Sequence, residues 1–238
     1  MNYGPNTVTD GLAFAVDFGN RKSYRIFQED GSAGVILNDQ TANQNNGTLT
    51  NIGSTFDSGN GGSFDFDGTD DYIDFGQVLE FSKNQSFSYT CWFNQPTDSG
   101  AASMMGRQSA SPAYRGPLLW SQNNKIYWRL KYDGSESILV YNNAAHSTDV
   151  WNHIVATYDG SSDNTGLKLY LNGSLVTNVS RTGTISSDIT GTIPFNIGAN
   201  NNNSNYFDGK IAVARVYNKE LSAAEALQNY NALKARFT

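Results

Sequence analysis

The segment Gly61–Gly76 alternates apolar and acidic residues on either side of a turn that contains glycine. Phe64 and Phe66 precede the turn, Ile73 follows it, and Asp67–Asp71 forms it. Such alternation is typical of strands with one buried face, and Asp-Gly favours a tight turn because glycine tolerates positive φ. The segment therefore predicts two strands of a β-protein joined as a hairpin.

Composition favours a single all-β domain. The chain has 238 residues, of which 38% are hydrophobic and 13% aromatic, enough for a substantial core. Its 23 glycines and five prolines suit short strands with tight turns rather than disorder. We expect one domain over residues 12–238, preceded by an amino-terminal tail over residues 1–11.

Charge and hydropathy argue against several kinds of partner. The formal net charge is −6 and the 16 Lys and Arg residues are scattered, whereas nucleic-acid binding requires clustered positive charge. Neither a run of about 18 apolar residues nor a basic, apolar leader is present, so we expect no membrane insertion and no signal peptide. The single Cys91 lies in an apolar run and is expected to be a small core residue.

Short strand-like runs recur along the whole chain. In the strongest run, 86–94, Phe87 and every second residue after it are apolar, so one face is expected to lie in the core. Asn172-Gly173 fits a two-residue type I′ hairpin turn. Other runs span 12–18, 47–51, 118–120, 125–130, 137–141, 151–158, 167–171, 174–177 and 194–197. Many short strands without intervening helices predict a two-sheet antiparallel sandwich.

One helix is predicted at the carboxyl end of the chain. Ser222 and Glu225 have the spacing of a capping box, in which each side chain bonds the backbone of the other residue. Leu227, Tyr230 and Leu233 then recur at helical spacing. A single helix should therefore close the domain.

Several segments match one family pattern in order and spacing over roughly residues 12–237. They are Gly61–Gly76, Trp151–Gly160, Leu169–Gly173, Phe195–Gly198 leading into Phe207–Ile211, Ala214–Asn218 and Leu221–Glu225. Together they resemble the laminin-G-like domains of the concanavalin-A-like lectin and glucanase superfamily. The resemblance implies an all-β jelly roll of two antiparallel sheets with one C-terminal helix.

Blocks near both ends are similar to laminin-G-like proteins of tailed phages, notably marine cyanophages. The blocks are Gly4–Leu12, Asn38–Asn51 and Asn229–Phe237. This resemblance implies a non-enzymatic virion structural protein, made in the host cytoplasm and displayed as a capsid decoration or fibre-tip module. Its partners would be other virion proteins, with a host-surface glycan and a second copy of the chain as further candidates. A free lectin-like carbohydrate-binding module is the alternative, followed by a glycoside hydrolase.

Catalysis is not expected. Retaining glycoside hydrolysis needs two carboxyls about 5–5.5 Å apart, which Glu-x-Asp-x-Glu on one strand can supply, and no such triplet occurs. Asp65 and Asp67 alternate and keep the hydrolase alternative open. The two histidines, His146 and His153, have no Gly-x-Ser-x-Gly motif beside them, and His153 is expected to be structural.

Aspartates on loops are the candidate metal ligands. Hard oxygen donors suit Ca²⁺, which takes about six to eight of them. The resemblance implies an Asp-Glu pair after Gly-x-Ile near the carboxyl end, where this chain has Ala212-Val213. The alternative is that the aspartates only cap turns. The candidate calcium ligands are Asp67, Asp70, Asp71 and Asp208.

Two segments combine aromatic rings with amide side chains, the residue types that stack on sugar rings and bond their hydroxyls. One is the Asn-rich loop 198–207, in which Tyr206 is the expected platform. The other includes Tyr114 and the run that begins at Trp120. The alternative is that the rings are core residues and the loop is only solvated. The candidate sugar-binding residues are Tyr114, Trp120, Asn201, Asn202, Asn203, Asn205 and Tyr206.

Overall fold

The computed structural model describes residues 6–24, 36–51, 56–98, 100–109, 114–200 and 204–238. In these ranges the chain forms seventeen strands, two short 3₁₀ turns and one α-helix, α1 (Ala223–Phe237). The strands are β1 (Leu12–Asp17), β2 (Ile36–Leu37), β3 (Gly47–Thr50), β4 (Phe56–Asp57), β5 (Ser63–Asp67), β6 (Tyr72–Asp74), β7 (Phe87–Asn94), β8 (Ala101–Gly106), β9 (Gly116–Gln122), β10 (Lys125–Lys131), β11 (Ser137–Asn142), β12 (Trp151–Tyr158), β13 (Leu167–Leu171), β14 (Ser174–Leu175), β15 (Val179–Thr182), β16 (Asn196–Ile197) and β17 (Asp208–Tyr217).

The strands form two antiparallel sheets. The first, which we call the covered sheet, has the order β14-β13-β12-β7-β17-β5-β4, with β1 also paired to β17. The second, which we call the open sheet, has the order β15-β11-β10-β9-β8-β16-β6-β3-β2. Two antiparallel sheets and one C-terminal helix confirm the predicted all-β sandwich.

The main core lies between the two sheets. Phe87, Tyr89, Cys91 and Phe93 of β7 all belong to it, as the alternation in the sequence predicts. Trp128 of β10 meets Tyr89 from the open sheet, with ring centroids 5.0 Å apart. Burial of such large aromatic side chains is the main favourable contribution to folding.

Part of the outer face of the covered sheet is buried as well, because α1 packs on it. Trp92 on β7 is fully buried and stacks on Phe237 and Tyr230 of α1, with centroid separations of 4.4 and 5.5 Å. Ala212 and Val213 on β17 join the same apolar cluster. An acidic pair at 212–213 would be buried against aromatic rings at a high cost, which accounts for the two apolar residues found there.

Polar side chains cap the start of α1 and hold the helix against the amino-terminal segment. The predicted capping box is present: Ser222 Oγ accepts from the Glu225 N–H, and Glu225 Oε2 accepts from the Ser222 N–H at 2.9 Å. Asn229 is fully buried, and its Oδ1 accepts from the Val8 N–H at 2.8 Å. The Tyr217 hydroxyl donates to the Val8 carbonyl at 3.1 Å.

In the described part of the chain, neither α1 nor any other helix is long and apolar enough to cross a membrane.

The hairpin predicted for Gly61–Gly76 does not form. β5 pairs with β4 and β17 in the covered sheet, whereas β6 pairs with β3 and β16 in the open sheet. The connecting turn crosses between the sheets and is closed by its own side chains, with the Asp67 N–H donating to Asp71 Oδ2 at 3.0 Å. Phe66 and Ile73 enter the same core from opposite sheets. Alternation shows which residues of a strand face the core, but it does not determine which other strand that strand pairs with.

Candidate functional site

The outer face of the open sheet carries aromatic and cationic side chains. On β10 the buried residues Ile126, Trp128 and Leu130 alternate with half-buried residues. Because successive side chains of a strand point to opposite faces, the half-buried set shares the outer surface. This set consists of Lys125, Tyr127, Arg129 and Lys131.

Three aromatic rings lie side by side across this face, and we call them the aromatic ladder. Tyr127 is the cross-strand neighbour of Trp120 on β9 and of Tyr141 on β11. Its ring stacks on both, at centroid separations of 4.9 and 4.8 Å and interplanar angles of 16° and 22°. Cross-strand aromatic pairs stabilise a sheet, so the aromatic ladder is a firmly held apolar surface.

A pocket of about 280 Å³ opens at the Trp120 end of the aromatic ladder. β9 contributes Trp120 and Gln122, β10 contributes Arg129, and the segments that flank β8 and β9 contribute Gln108 and Tyr114. Trp120 is 7% exposed and Gln108 is 2% exposed, so each presents only a small part of its side chain. The volume lies near the lower end of the roughly 300–1,000 Å³ found for ligand pockets, which suits one unit of a larger polar ligand.

Asn200 and Asn205, which follow β16, form another wall of the pocket. The Ser103 N–H on β8 donates to the Asn205 carbonyl at 2.7 Å, which holds Asn205 against the open sheet. Asn200 Oδ1 accepts from the Ser204 N–H at 3.2 Å and from the Ser204 hydroxyl at 3.1 Å. The structure thereby brings together Tyr114, Trp120 and Asn205, three of the sequence-predicted residues from two distant segments.

Arg129 is the most deeply placed charge in the pocket. Its guanidinium carbon lies 5.0 Å from the centroid of the Trp120 ring, and its Nη2 donates to Gln108 Oε1 at 3.1 Å. Burial lowers the pKa of Arg129 below its ordinary value, because removing a cation from water disfavours the charged form.

Lys131 places a second cation at the same pocket. Its Nζ lies 5.0 Å from the centroid of the Tyr114 ring, and its pKa is lowered by burial and then by the charge of Arg129. None of the described residues that line the pocket is an Asp or a Glu. The pocket is therefore positive, although the whole chain carries a net charge of −6.

Seven of the described residues that line the pocket are absent from the sequence-based set: Ala101, Gln108, Leu118, Gln122, Arg129, Lys131 and Asn200. The alternation in 125–131 contains a signal for two of them, since it places Arg129 and Lys131 on the polar side of a strand. Gln122 ends the preceding strand on the same face as Trp120. Nothing in the sequence around Gln108 distinguishes it from an ordinary polar residue.

The other predicted sugar-binding residues lie outside the pocket or outside the described residues. Tyr206 packs beside Tyr72, with ring centroids 6.5 Å apart, and does not line the pocket. Burial raises the pKa of Tyr206, with smaller contributions from Tyr72 and Asp70. Asn201, Asn202 and Asn203 fall outside the described residues.

Three of the predicted metal ligands cluster, and the fourth lies beside the cluster. Carboxylate oxygens of Asp67, Asp70 and Asp71 lie within 4.8 Å of one another at the crossing turn. Asp208 is not part of this cluster, but it is the cross-strand neighbour of Asp67 and lines a groove on the covered sheet with Asp65 and Asp67. Burial raises the pKa of Asp71, and the charges of Asp67 and Asp70 add to the effect.

Backbone donors already use part of the acidic turn. Asp67 Oδ1 accepts from the N–H groups of Thr69 and Asp70, at 2.8 and 3.3 Å. Asp71 Oδ2 accepts from the Asp67 N–H. These bonds account for the conformation of the turn without an ion, and the calcium hypothesis stays a prediction.

A thermal melt with and without chelator tests the calcium hypothesis. Binding at the acidic turn should stabilise the native state by about 1.4 kcal/mol at ten times the dissociation constant, and EDTA should reverse the gain. Asp70→Asn should remove it, because Asp70 supplies one of the three clustered carboxylates. An equal midpoint in calcium and in EDTA would exclude a metal at this turn.

Neither histidine belongs to a catalytic arrangement. His153 is fully buried beneath α1, where its Nε2 lies 3.3 Å from the Thr90 hydroxyl and its ring lies 5.0 Å from the Trp92 ring. His146 is buried too, with Nδ1 lying 3.0 Å from the Ser147 carbonyl oxygen. The alternating pair that kept the hydrolase alternative open lies on β5, on the outer face of the covered sheet and away from the pocket.

Two antiparallel sheets, a closing helix and a pocket on one outer face define the lectin-like class of β-sandwich. A family model described as the concanavalin A-like lectin/glucanases superfamily matches residues 67–226. The chain therefore belongs to this superfamily, which confirms the laminin-G-like resemblance. None of the curated proteins compared with the chain matches it.

Solved structures share this fold at low sequence identity. The binding domain of Paraclostridial mosquitocidal protein 1 superposes with a TM-score of 0.68 at 16% identity, covering 93% of this chain and 52% of that one. The receptor binding domain of botulinum neurotoxin type G gives 0.61 at 16% identity, covering 93% and 51%. The chain thus spans about half the length of these toxin domains.

A third solved structure is similar over its whole length. It is domain 4 of AbnA, an extracellular arabinanase from Geobacillus stearothermophilus, in complex with arabinotriose. The TM-score is 0.62 at 21% identity, covering 92% of this chain and 98% of that one. At these identities the likenesses establish the fold.

Proposed function

We propose that this protein is a non-enzymatic carbohydrate-binding module whose site is the pocket at the Trp120 end of the aromatic ladder. The observation that carries the proposal is the convergence of Tyr114 and Trp120 from one segment and Asn205 from a distant one on one concave surface. Ligand sites are concave and combine apolar rings with a few convergent polar groups. The arabinanase domain of similar fold binds a trisaccharide, which supports the choice of ligand class.

The pocket has the two kinds of group that recognise sugars, aromatic rings and hydrogen-bonding amides. The aromatic surfaces of Trp120 and Tyr114 can meet the apolar C–H face of a pyranose or furanose ring. The amides of Gln108, Gln122 and Asn205 carry both donors and acceptors, which sugar hydroxyls require because each can donate and accept. The fixed ladder behind Trp120 reduces the entropy that binding would otherwise lose.

The proposal excludes glycoside hydrolysis because the described lining of the pocket has no carboxyl groups. Hydrolysis by either stereochemical route uses a pair of carboxyl groups beside the scissile bond, and no Asp or Glu is among the described residues lining the pocket. The purified protein should therefore bind oligosaccharides without releasing reducing sugar. Sustained release from any bound glycan would show that the protein is an enzyme.

Trp120→Ala is expected to weaken glycan binding at least tenfold, equivalent to about 1.4 kcal/mol, because it removes the part of the indole that lines the pocket and the ring on which the Arg129 guanidinium lies. The matched control is Tyr141→Ala, which shortens the aromatic ladder at its far end and leaves the pocket lining unchanged. A glycan array followed by calorimetry on the bound glycans measures both variants. Equal losses in the two variants, or full affinity in Trp120→Ala, would contradict the pocket as the site.

Display on a phage particle is the second part of the proposal. The similarity of Gly4–Leu12, Asn38–Asn51 and Asn229–Phe237 to tailed-phage proteins supports a capsid decoration or fibre-tip module that attaches to a host-surface glycan. Other virion proteins and further copies of the chain would then be its partners. Cryo-microscopy of the purified virion tests this part independently of sugar binding, and a particle without copies of the chain would refute it.

A further inference from the structure

The charges of the pocket lead to a more specific ligand class. The charged residues among its described lining are both cations, Arg129 and Lys131. Neither forms an ion pair with another described residue. We propose that the pocket selects acidic saccharides, in which the bound sugar carries a carboxylate or a sulfate group. This inference rests on the proposed function that the pocket binds glycans.

Two buried donors at the pocket lack acceptors. Arg129 Nε and Gln108 Nε2 are buried and have no hydrogen-bond partner among the described residues, although Arg129 Nη2 and Gln108 Oε1 bond each other. Unsatisfied buried donors are costly. An ionised carboxylate or sulfate offers several acceptor oxygens at once, whereas a neutral hydroxyl has only one oxygen, and hydrogen bonds to an ionised acceptor are stronger.

The spacing of the two cations suits a single anionic group. Arg129 and Lys131 are alternate residues of β10, so their Cα atoms lie about 6.6 Å apart and their side chains share the outer face. Each cation also lies over an aromatic ring, Trp120 or Tyr114, at 5.0 Å. The rings keep water from one side of each cation, and electrostatic attraction to an anion is stronger where water is excluded.

Extended polyanions fit this surface poorly. Of the cations on the outer face of β10, Arg129 and Lys131 line the pocket and Lys125 lies outside it. The chain as a whole is acidic, with 22 Asp and Glu against 16 Lys and Arg. Nucleic acids and other long polyanions require a basic track several residues long. One charged sugar held between aromatic rings and amide groups matches the pocket better than a simple anion does, because an inorganic ion would leave the rings and the amides of Gln122 and Asn205 unused.

The first experiment is a glycan array in which each acidic glycan stands beside its neutral parent. The acidic members carry uronic acids, sialic acids or sulfated sugars, and the uronic acids are also presented as methyl esters, which keep the shape and remove the charge. We expect the acidic member of bound pairs to bind at least tenfold more tightly at low salt and the difference to shrink as salt is added.

The second experiment assigns the selectivity to the pocket. Arg129→Gln and Lys131→Gln should each reduce the preference for the acidic member at least fivefold. Lys125→Gln is the matched control, because Lys125 lies on the same face of the same strand outside the pocket and should leave the preference unchanged. Circular dichroism melts verify that the variants fold. If a variant does not fold, the comparison of acid and methyl ester on the unaltered protein still tests the inference.

The outcomes separate this inference from the proposed function. Binding of neutral and acidic members with equal affinity, still lost in Trp120→Ala, would overturn the inference and leave the binding module intact. Binding of no glycan would overturn both. Equal losses in Lys125→Gln and Arg129→Gln would overturn the assignment to the pocket. Inorganic sulfate titrated alone should bind at least tenfold more weakly than the best acidic glycan, and equal affinity would overturn the choice of a saccharide.

Discussion

Trp92→Ala is expected to lower the free energy of unfolding by about 3–5 kcal/mol, the range for aromatic-to-alanine changes in cores. Trp92 is fully buried between the covered sheet and α1, stacked on Phe237 and Tyr230. Its indole Nε1 has no hydrogen-bond partner among the described residues, so the loss arises from packing and from the cavity left behind. A loss of this size is a large fraction of the total stability of an ordinary domain.

Urea unfolding monitored by circular dichroism measures the effect. The control is Leu227→Ala on the same helix, where the side chain is 46% exposed and the change should stay within about 0.5 kcal/mol. Trp92→Phe should lose less than Trp92→Ala, since a smaller ring keeps part of the stack with Phe237. A loss below about 1 kcal/mol in Trp92→Ala would mean that α1 contributes little to stability.

Local patterns were sufficient to predict most elements of this fold. The alternation in β7 identified its core face, and the Ser222 and Glu225 capping box identified the start of α1. The Asn172-Gly173 turn joins β13 and β14, with φ angles of 50° and 80° as a type I′ turn requires. Each of these features is decided by residues close together in the sequence, so a single sequence contains the necessary information.

Features that depend on distant partners could not be predicted. The crossing turn after β5 was mistaken for a hairpin because pairing with β17 is decided more than 140 residues away. Ser88 lies on the polar face of β7 and is buried, although the alternation assigned only the opposite face to the core. Its Oγ donates to the Lys219 carbonyl at 2.8 Å and accepts from the Leu221 N–H at 2.9 Å. A polar residue can be buried when the folded chain satisfies its hydrogen bonds.

The candidate site shows the same division. Composition nominated Tyr114 and Trp120 in one segment and Asn205 in another, and only the folded sheet places the three around one pocket. Arg129 was missed because a charged residue on an alternating strand is most simply a solvated one, whereas here it lies over Trp120 with its pKa lowered by burial.

The two outer faces of the sandwich have different roles for a physical reason. α1 covers part of the outer face of the covered sheet and buries Trp92 there. The outer face of the open sheet keeps its aromatic ladder partly exposed beside a pocket. Under the proposed function, stability and recognition are carried by different surfaces, and substitutions beneath α1 should change stability without changing which glycan is bound.

Acidification from pH 7 to pH 5 is expected to lower the free energy of unfolding by about 2 kcal/mol through His153. Burial, and then the charge of Arg215, lowers the pKa of His153 to about 3 in the folded protein, against about 6.5 in an unfolded chain. Between these values the unfolded chain binds a proton that the folded protein does not. Stability is therefore greatest above about pH 6.5 and falls by up to about 1.4 kcal/mol per pH unit as the pH drops toward 3.

His153→Gln should remove most of this pH dependence. Glutamine can retain the contact with the Thr90 hydroxyl, which lies 3.3 Å from Nε2 in the native protein, and it does not titrate. Urea unfolding at pH 5, 6 and 7 gives the slope for each variant. His146→Gln is the control, because burial also lowers the pKa of His146 and its removal should reduce the slope by a smaller amount.

Carboxylates with lowered pKa values, such as Asp57 and Glu225, affect stability only below their unfolded values near about pH 4. An unchanged slope in His153→Gln would show that this histidine takes up its proton without unfolding, and that the region under α1 admits water.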